Sequence, residues 1–318
     1  MGYLIKIHDL IGSMNSDTVA KWIKVGKKHP VWLAQYTAER LGLSRMEDEL
    51  FLRFIYEFIF EKPLCLDNPR LYTEKLQWLK LHDRNPEYTR MVDKEEVKGY
   101  VSEIIGYTHV IPTIGVWDNF DEIDFSALPQ QFVLKCTHDS GGNVIVKNKD
   151  EIDMLATRIK IEDCLKRNYY YQGREWQYKE IKPRIIAEKY IGNDKGDGLP
   201  IDDYKVLCFE GCVKLIELHR NRYTGDHTQD FYDAEWNKTD IQQVGEKNSE
   251  DIVQRPKHFK EMIELSERLS CNMHHLRVDW YESREKLLFG ELTLYDSSGL
   301  CRFSDDIWDE ILGSWIVL

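Results

Sequence analysis

The tightest constraint on the fold lies near the C-terminus, in Arg277-Val278-Asp279-Trp280-Tyr281 and Phe289-Gly290-Glu291-Leu292-Thr293. Read with period 2, these are two strands joined by the polar run Glu282-Ser283-Arg284-Glu285-Lys286. On the first strand Leu276, Val278 and Trp280 share one face, and Arg277, Asp279 and Tyr281 share the other. On the second, strict alternation puts Leu288, Leu292 and Leu294 on one side and Phe289, Glu291 and Thr293 on the other. With Asp279 opposite Phe289, Glu291 falls diagonal to Asp279, within roughly 7–8 Å. Two carboxylates converging from adjacent strands make a hard-oxygen site suited to Mg²⁺. An arginine on the same face could neutralise a developing anion. The same pattern also suits an exposed hairpin face with a cross-strand Arg–Glu pair, and these residues alone leave both open.

The rest of the chain must supply a context. Its 318 residues exceed one small domain and can bury a sizeable core. A formal charge of −12 argues against broad nucleic-acid binding, so any phosphate ligand needs a local basic pocket or a metal. The seven cysteines are scattered with no CxxC, which points to free thiols and a cytoplasmic setting. The start lacks an uninterrupted apolar segment, so no signal peptide is expected. Phe51 to Phe60 contains Arg53 and Glu57 and is too short to span a bilayer.

Residues 1–106 read as mainly helical. Ser44 and Glu47 form a capping-box signature for a helix that Pro63 stops. Lys21, Lys24, Lys27 and Lys28 near Trp22 suit either a solvated helix face or peripheral contact with an anionic membrane surface. Thr73 to Leu81 reads as an amphipathic helix. Asp93-Lys94 opens another, ended by Gly106. Residues 107–190 turn strand-rich. Phe132 to Cys136 and Asn143 to Lys147 are strands flanking Thr137-His138-Asp139-Ser140-Gly141-Gly142. Paired glycines let backbone N–H groups approach an anion, although a strand–SGG–strand is also a plain hairpin. There is no GxxxxGK[ST] loop. His138 suits a catalytic role or a solvated loop position. Arg184 to Ile191 is a buried strand, and the acidic loop 192–198 fails EF-hand spacing. In 191–318, Asp203 to Phe209 and Cys212 to Leu218 form a hairpin followed by His219, Arg220 and Arg222, a cluster suited to anion recognition or to surface pairing. Residues 223–256 read as loop, and Phe259 to Leu269 as a helix leading into the opening hairpin.

The order of these parts resembles the ATP-grasp fold and, more narrowly, the TupA-like ATP-grasp family associated with bacterial cell-surface polysaccharide synthesis. The matching stretches are Glu74 to Lys80, Asp93-Lys94, Phe132 to Lys135, Ala187 to Ile191, Asp203-Tyr204-Lys205, Arg277-Val278-Asp279 and Gly290 to Thr293. The resemblance implies an α+β ATP-grasp fold with a helical N-terminal region (1–106), a small subdomain carrying the Gly-rich loop (107–190) and a C-terminal subdomain with the Mg²⁺ site (191–318). It implies that Lys94 and Lys135 contact ATP phosphates and that Ser140, Gly141 and Gly142 close over them. Glu188, Lys189, Tyr190 and Ile191 would form the hinge whose backbone reads adenine. Asp203 or Lys205 would meet ribose or phosphates, Asp279 and Glu291 would hold Mg²⁺, and Arg277 would stabilise the transferring phosphoryl group, with Lys205 and Arg220 as further catalytic candidates. Thr293 stands where many ATP-grasp enzymes carry Asn, and a hydroxyl is the weaker metal ligand.

The implied chemistry is a carboxylate–amine ligation through an acyl phosphate, with a sugar acid and an amine or amino acid as partners and possible contact with membrane-bound polysaccharide machinery. It needs positioned cations rather than a covalent nucleophile, and no Ser-His-Asp or Cys-His context occurs. A sugar kinase would share the ATP site. A metal-dependent glycosyltransferase is disfavoured because Asp202-Asp203 and Asp305-Asp306 are not DxD motifs. A non-catalytic scaffold conflicts with retention of Lys94, Lys135, Asp279 and Glu291.

Overall fold

The computed structural model describes residues 45–192, 200–222, 224–283 and 285–318. The Lys21–Lys28 cluster, Ser44 and most of loop 192–198 lie outside the described residues.

Helix α1 (Asp48–Phe60) buries Phe51, Leu52, Ile55, Tyr56 and Ile59, one apolar stripe at 3.6-residue spacing. It stops at Glu61, whose left-handed φ of 58° places it as the terminating residue just before Pro63. Helix α2 (Tyr72–His82) differs from the amphipathic expectation, because Glu74, Gln77 and Lys80 are buried along with Tyr72, Leu76 and Leu79. Its polar side chains hold backbone elsewhere. Glu74 accepts from the N–H groups of Arg70 and Leu71, Gln77 donates to Gly299 O at 2.8 Å, and Lys75 donates to the Gly313 and Ile316 carbonyls at 2.9 and 2.7 Å. Lys80 donates to the Ser298 and Gly173 carbonyls, and burial pulls its ammonium down to about 8 against the opposing pull of Glu175. Each buried group is satisfied by a partner, as an interior requires.

After α3 (Glu87–Val92), Asp93 bonds the N–H groups of Glu95 and Glu96 and so starts α4 (Glu96–Ile105). Four strands follow: β1 (Thr113–Trp117), β2 (Phe132–Cys136), β3 (Val144–Val146) and, after helix α5 (Met154–Leu165) and the short α6 (Tyr170–Gly173), β4 (Ile185–Lys189). They form an antiparallel sheet in the order β1-β4-β2-β3. On α5 the residues facing this sheet are Thr157, Ile161 and Cys164, while Leu155 and Ile159 face outward.

The second sheet has the order β7-β6-β5-β8-β9, from β5 (Asp203–Phe209), β6 (Cys212–Arg220), β7 (Thr228–Asp233), β8 (His275–Glu282) and β9 (Leu287–Thr293). Strand β7 lies inside a stretch whose polarity reads as loop. Its Gln229 and Asp230 are nevertheless buried, held by side-chain bonds to Glu217 and Lys238. Helix α7 (Phe259–Leu269) covers the face carrying Val206, Val278 and Trp280, with Trp280 Nε1 donating to Ser266 Oγ at 2.9 Å. On the other face, α2 and α8 (Ile307–Ser314) cover only the Phe209–His275 end, where Tyr72 bonds His275. Both layers share one core, which joins Tyr72 to Ile105 with the five-stranded sheet. Each fully buried large side chain there contributes about 1.5–3 kcal/mol. The uncovered end of that face looks onto the four-stranded sheet.

The hairpin corrects the expected register. Asp279 pairs directly with Glu291 and Trp280 pairs with Phe289, so Gly290 is the extra residue of a bulge. A Cβ on Gly290 would sit 3.1 Å from Asp279 O, which is why a residue without one occupies the bulge. The bulge inverts the alternation before it. Leu287 and Phe289 turn to the core with Trp280, and Leu288 pairs with Tyr281 on the other face.

Candidate active site

Strand register lays the polar residues out in rows on the uncovered face. Glu217, Lys205, Asp279 and Glu291 pair in succession across β6, β5, β8 and β9. Beside that row, Gln229, His219, Asp203 and Tyr281 pair across β7, β6, β5 and β8. Their chain neighbours Tyr204, Val206, Leu218 and Trp280 point into the core. Alternation therefore delivers the charged residues to one surface.

Arg277 is the hub. Its Nε and Nη2 clasp Asp279 at 2.7 and 2.9 Å, Nη1 bonds Asp296 at 2.8 Å, and Nη2 reaches Glu291 at 2.8 Å. Burial alone would lower the guanidinium's pKa, but Asp279, Asp296 and Glu291 outweigh it and hold the group fully charged. Lys205 bonds Asp279 and lies 3.2 Å from Asp203, which Arg222 also bonds at 2.6 Å. Burial and Arg277 push the Lys205 ammonium down, and Asp279, Asp203 and Glu291 raise it further. Asp279 and Glu291 share one face directly opposite each other, with Arg277 between them. Two opposed carboxylates on one face supply the hard oxygens that a magnesium–nucleotide complex takes from protein. Among the described residues no cluster of three His, Cys, Asp or Glu side chains forms a metal site, so this pair would bind metal together with ligand oxygens. Thr293, opposite Arg277, lies 3.4 Å from Glu291 Oε1.

The four-stranded sheet brings the lysines. Lys135 on β2 and Lys98 on α4 both bind the buried Glu188 of β4, at 2.5 and 2.7 Å. Burial would raise the Glu188 carboxyl, but Lys135 and Lys98 overcome this and leave it below the usual range. Glu188 thus acts through its side chain, anchoring two cations. Lys98 was not among the sequence candidates; its signal is its place four residues after Lys94, in the first turn of the helix that follows it. Lys94 bonds the Asp139 carbonyl, and its backbone N–H bonds Thr137 O at 3.0 Å. Burial lowers its ammonium and Lys135 lowers it further, against the opposing pull of Glu291.

The two sheets bound a cleft of about 420 Å³. Ile111, Val133, Ile145, Tyr190 and Ile191 give it apolar walls, and Lys135, Glu188, Lys189, Asp203, Arg222 and Tyr281 give it polar ones. Its volume lies in the range of small-molecule sites. At the loop, Ser140 and Gly141 are exposed and Gly141 takes φ 79°, a conformation that favours glycine. Gly142 is buried, and a Cβ there would lie 2.3 Å from Cys164 Sγ. His138 is neither solvated nor in the cleft; it is buried, with Nε2 on Arg167 O at 3.0 Å.

One candidate is displaced. Arg220 pairs with Thr228 and shares parity with Leu218 and Tyr204, so it sits on the sheet face away from Asp203 and Lys205. The arginine that reaches the site is Arg222, two residues on. Asp296 and Glu217 also escaped the sequence reading. Asp296 lies in a turn after β9 with no motif around it, and Glu217 reads as an ordinary strand acid until its register with Lys205 is known.

The arrangement fits a sequence comparison. The profile of the TupA-like ATP-grasp family matches residues 74–317, well over half of the chain. The chain belongs to the TupA-like ATP-grasp family. That membership fixes the fold as ATP-grasp, here an α+β chain of helices and two antiparallel sheets. No curated protein matches it. Among solved structures it is similar to D-alanine–D-alanine ligase from Bacillus anthracis complexed with ATP, at 17% identity and TM-score 0.36, covering 64% of this chain and 55% of that one. It is similar to L-amino acid ligase from Bacillus licheniformis at 13% identity and TM-score 0.44, covering 80% and 57%. It is also similar to D-alanine–D-alanine ligase from Helicobacter pylori at 13% identity and TM-score 0.40, covering 77% and 69%. The chain therefore spans little more than half the length of the first two, and the assignment rests on the family match. Among the described residues no helix is long and apolar enough to cross a membrane.

Proposed function

We propose that this TupA-like ATP-grasp protein is an ATP- and Mg²⁺-dependent carboxylate–amine ligase. It would join an amino acid or similar amine to a uronic acid of a cell-surface polysaccharide or its precursor, through an acyl phosphate. The observation that carries the reading is one cleft with two chemically different walls. Lys135 and Glu188, with Lys98 bonded to Glu188, form one wall, and Asp203, Arg222 and Tyr281 form the other; Lys205 ties Asp203 to the adjoining row that holds Asp279, Glu291 and Arg277. The lysines would hold nucleotide phosphates, and the apolar residues Ile111, Val133, Ile145 and Tyr190 would receive the base. Asp279 and Glu291 would hold Mg²⁺, which when bound neutralises phosphate charge. Arg277 and Lys205 would stabilise the anion that develops as a substrate carboxylate attacks the γ-phosphate, and an amine would then displace phosphate from the acyl carbon.

The test is thermal unfolding with and without MgATP, followed by ADP release from a panel of sugar acids and amines. MgATP is expected to raise the midpoint in the native chain, and Lys135→Met or Asp279→Asn should reduce that rise. No response to MgATP in the native chain would sink the reading. ADP release that requires both an acid and an amine supports the ligase, whereas phosphate on a sugar hydroxyl would convert it to a kinase.

A further inference from the structure

We propose that the corner formed by Asp203, Glu217 and Gln229 is a binding subsite for a primary ammonium group. The proposal rests on the ligase reading and names where its amine substrate docks.

Three neighbouring strands each present a buried acceptor with no donor: Asp203 Oδ1 on β5, Glu217 Oε2 on β6 and Gln229 Oε1 on β7. The three residues are 2%, 4% and 2% exposed. Asp203 and Gln229 both pair with His219, and Glu217 lies two residues along from it, so all three share a face. Gln229 Nε2 donates to Glu217 Oε1 at 2.7 Å, which ties two of them directly together. The remaining oxygens are oriented by fixed partners. Arg222 holds Asp203 Oδ2, and His219 holds Glu217 Oε1 at 2.6 Å.

Glu217 stands between the other two, bonded to Gln229 and diagonal to Asp203, while Asp203 and Gln229 lie either side of His219, about 10 Å or two strand spacings apart. The two charged acceptors, neighbours on adjacent strands, select the ligand. Burial would raise both carboxyls. Lys205 and Arg222 lower that of Asp203, and His219 and Arg277 lower that of Glu217, so both stay ionised. A buried ionised oxygen without a donor is costly. A primary ammonium supplies three N–H donors and a positive charge. A sugar hydroxyl supplies one donor and no charge. The corner also has the right address. Glu217 lies in the same row as Lys205, Asp279 and Glu291, two strand spacings or about 10 Å from Asp279. Asp203 and Arg222 form part of the cleft wall.

An ammonium must shed a proton before it can attack, and the corner has an outlet. His219 Nδ1 lies 2.9 Å from His227 Nε2, with the rings stacked, and His227 Nδ1 lies 3.5 Å from Glu246. Side-chain exposure rises along Glu217, His219, His227 and Glu246 from 6% to 10%, 29% and 40%. In the step, R–NH₃⁺ gives one proton to the Glu217–His219 pair. The freed lone pair forms the C–N bond at the acyl carbon. The C–O bond to phosphate breaks, and phosphate leaves with the second N–H proton.

The probe is methylammonium chloride, added to the full chain with MgADP and followed by saturation-transfer NMR. Saturation should reach its methyl group in the native protein, and tetramethylammonium, which has no N–H, should not displace it. Glu217→Gln should weaken the interaction about tenfold, the effect of losing one charge-assisted bond. In native protein alone, imidazole ¹⁵N resonances of His219 and His227 should move on titration while buried His275 stays still. Those shifts decide the matter should the variant fail to fold. Equal binding by native protein and Glu217→Gln, histidine resonances that do not move, or displacement by methyl glucoside would overturn the subsite. A native chain that responds to MgATP but not to methylammonium loses the subsite and keeps the ligase, whereas no MgATP response removes the ligase itself.

Discussion

Replacing Arg277 with Met tests the logic of the polar hub. Methionine keeps the length and apolar stem of the side chain and removes its charge. Arg277 now neutralises Asp279 and Asp296, whose side chains are 4% and 2% exposed, and the half-exposed Glu291, where solvent leaves little pair energy. Asp279 would keep Lys205, but among the described residues the only side-chain bond to Asp296 comes from Arg277. The loss is therefore mainly an uncompensated charge at Asp296, a defect of about 3–5 kcal/mol. At about 1.5 °C per kcal/mol for a chain of this size, the midpoint should fall by about 5–8 °C. Urea unfolding of the native chain, Arg277→Met, Asp296→Asn and the double variant closes a double-mutant cycle. The double variant should be more stable than Arg277→Met alone, with a coupling of about 1.5–3 kcal/mol. A single-variant loss under about 1 kcal/mol, or strict additivity, would refute the claim that Arg277 and Asp296 neutralise one another in the interior.

Two further tests probe other parts of the frame. His275 donates from Nδ1 to Leu294 O and accepts at Nε2 from Tyr72, and burial lowers its pKa from 6.5 to about 4. Between those values the unfolded chain binds a proton that the native state does not, so stability should rise with pH across the window, by about 3 kcal/mol in total; His275→Gln should flatten the urea midpoint between pH 4 and 6.5, and an unchanged slope would contradict the buried neutral ring. Gly142→Ala would set a Cβ 2.3 Å from Cys164 Sγ, so it should cost about 1–3 kcal/mol by calorimetry. Adding Cys164→Ala should recover most of that loss, and a double variant no better than the single would place the strain elsewhere.

Much of this molecule is local and therefore legible along the chain. Helical spacing marks Phe51 to Ile59 and Phe259 to Leu269, Pro63 and Gly106 mark the stops of the first helix and of the one that ends at Ile105, and alternation from Leu276 to Tyr281 separates core from site. The chemistry-bearing types are equally visible, because Lys94, Lys135, Asp203, Lys205, Arg277, Asp279 and Glu291 stand in spaced motifs. What a period-2 reading cannot hold is an extra residue. Gly290 shifts the register by one, brings Glu291 directly opposite Asp279 and turns Phe289 inward. Parity is equally decisive for Arg220, which a one-dimensional cluster groups with His219 but the pleat sends to the opposite face. Strand β7 lies in a polar stretch and carries only Phe231 and Tyr232 as apolar residues, so its neighbours on β6 make it a strand. The sequence by itself determined which residues could do chemistry and which segments would be regular, because propensity and periodicity act over a few residues. Tertiary structure alone decided which of those residues meet. Contacts such as Arg277 with Asp296, Lys98 with Glu188, and Glu217 with Lys205 depend on strand order, register and the facing of two sheets, and no local pattern encodes them.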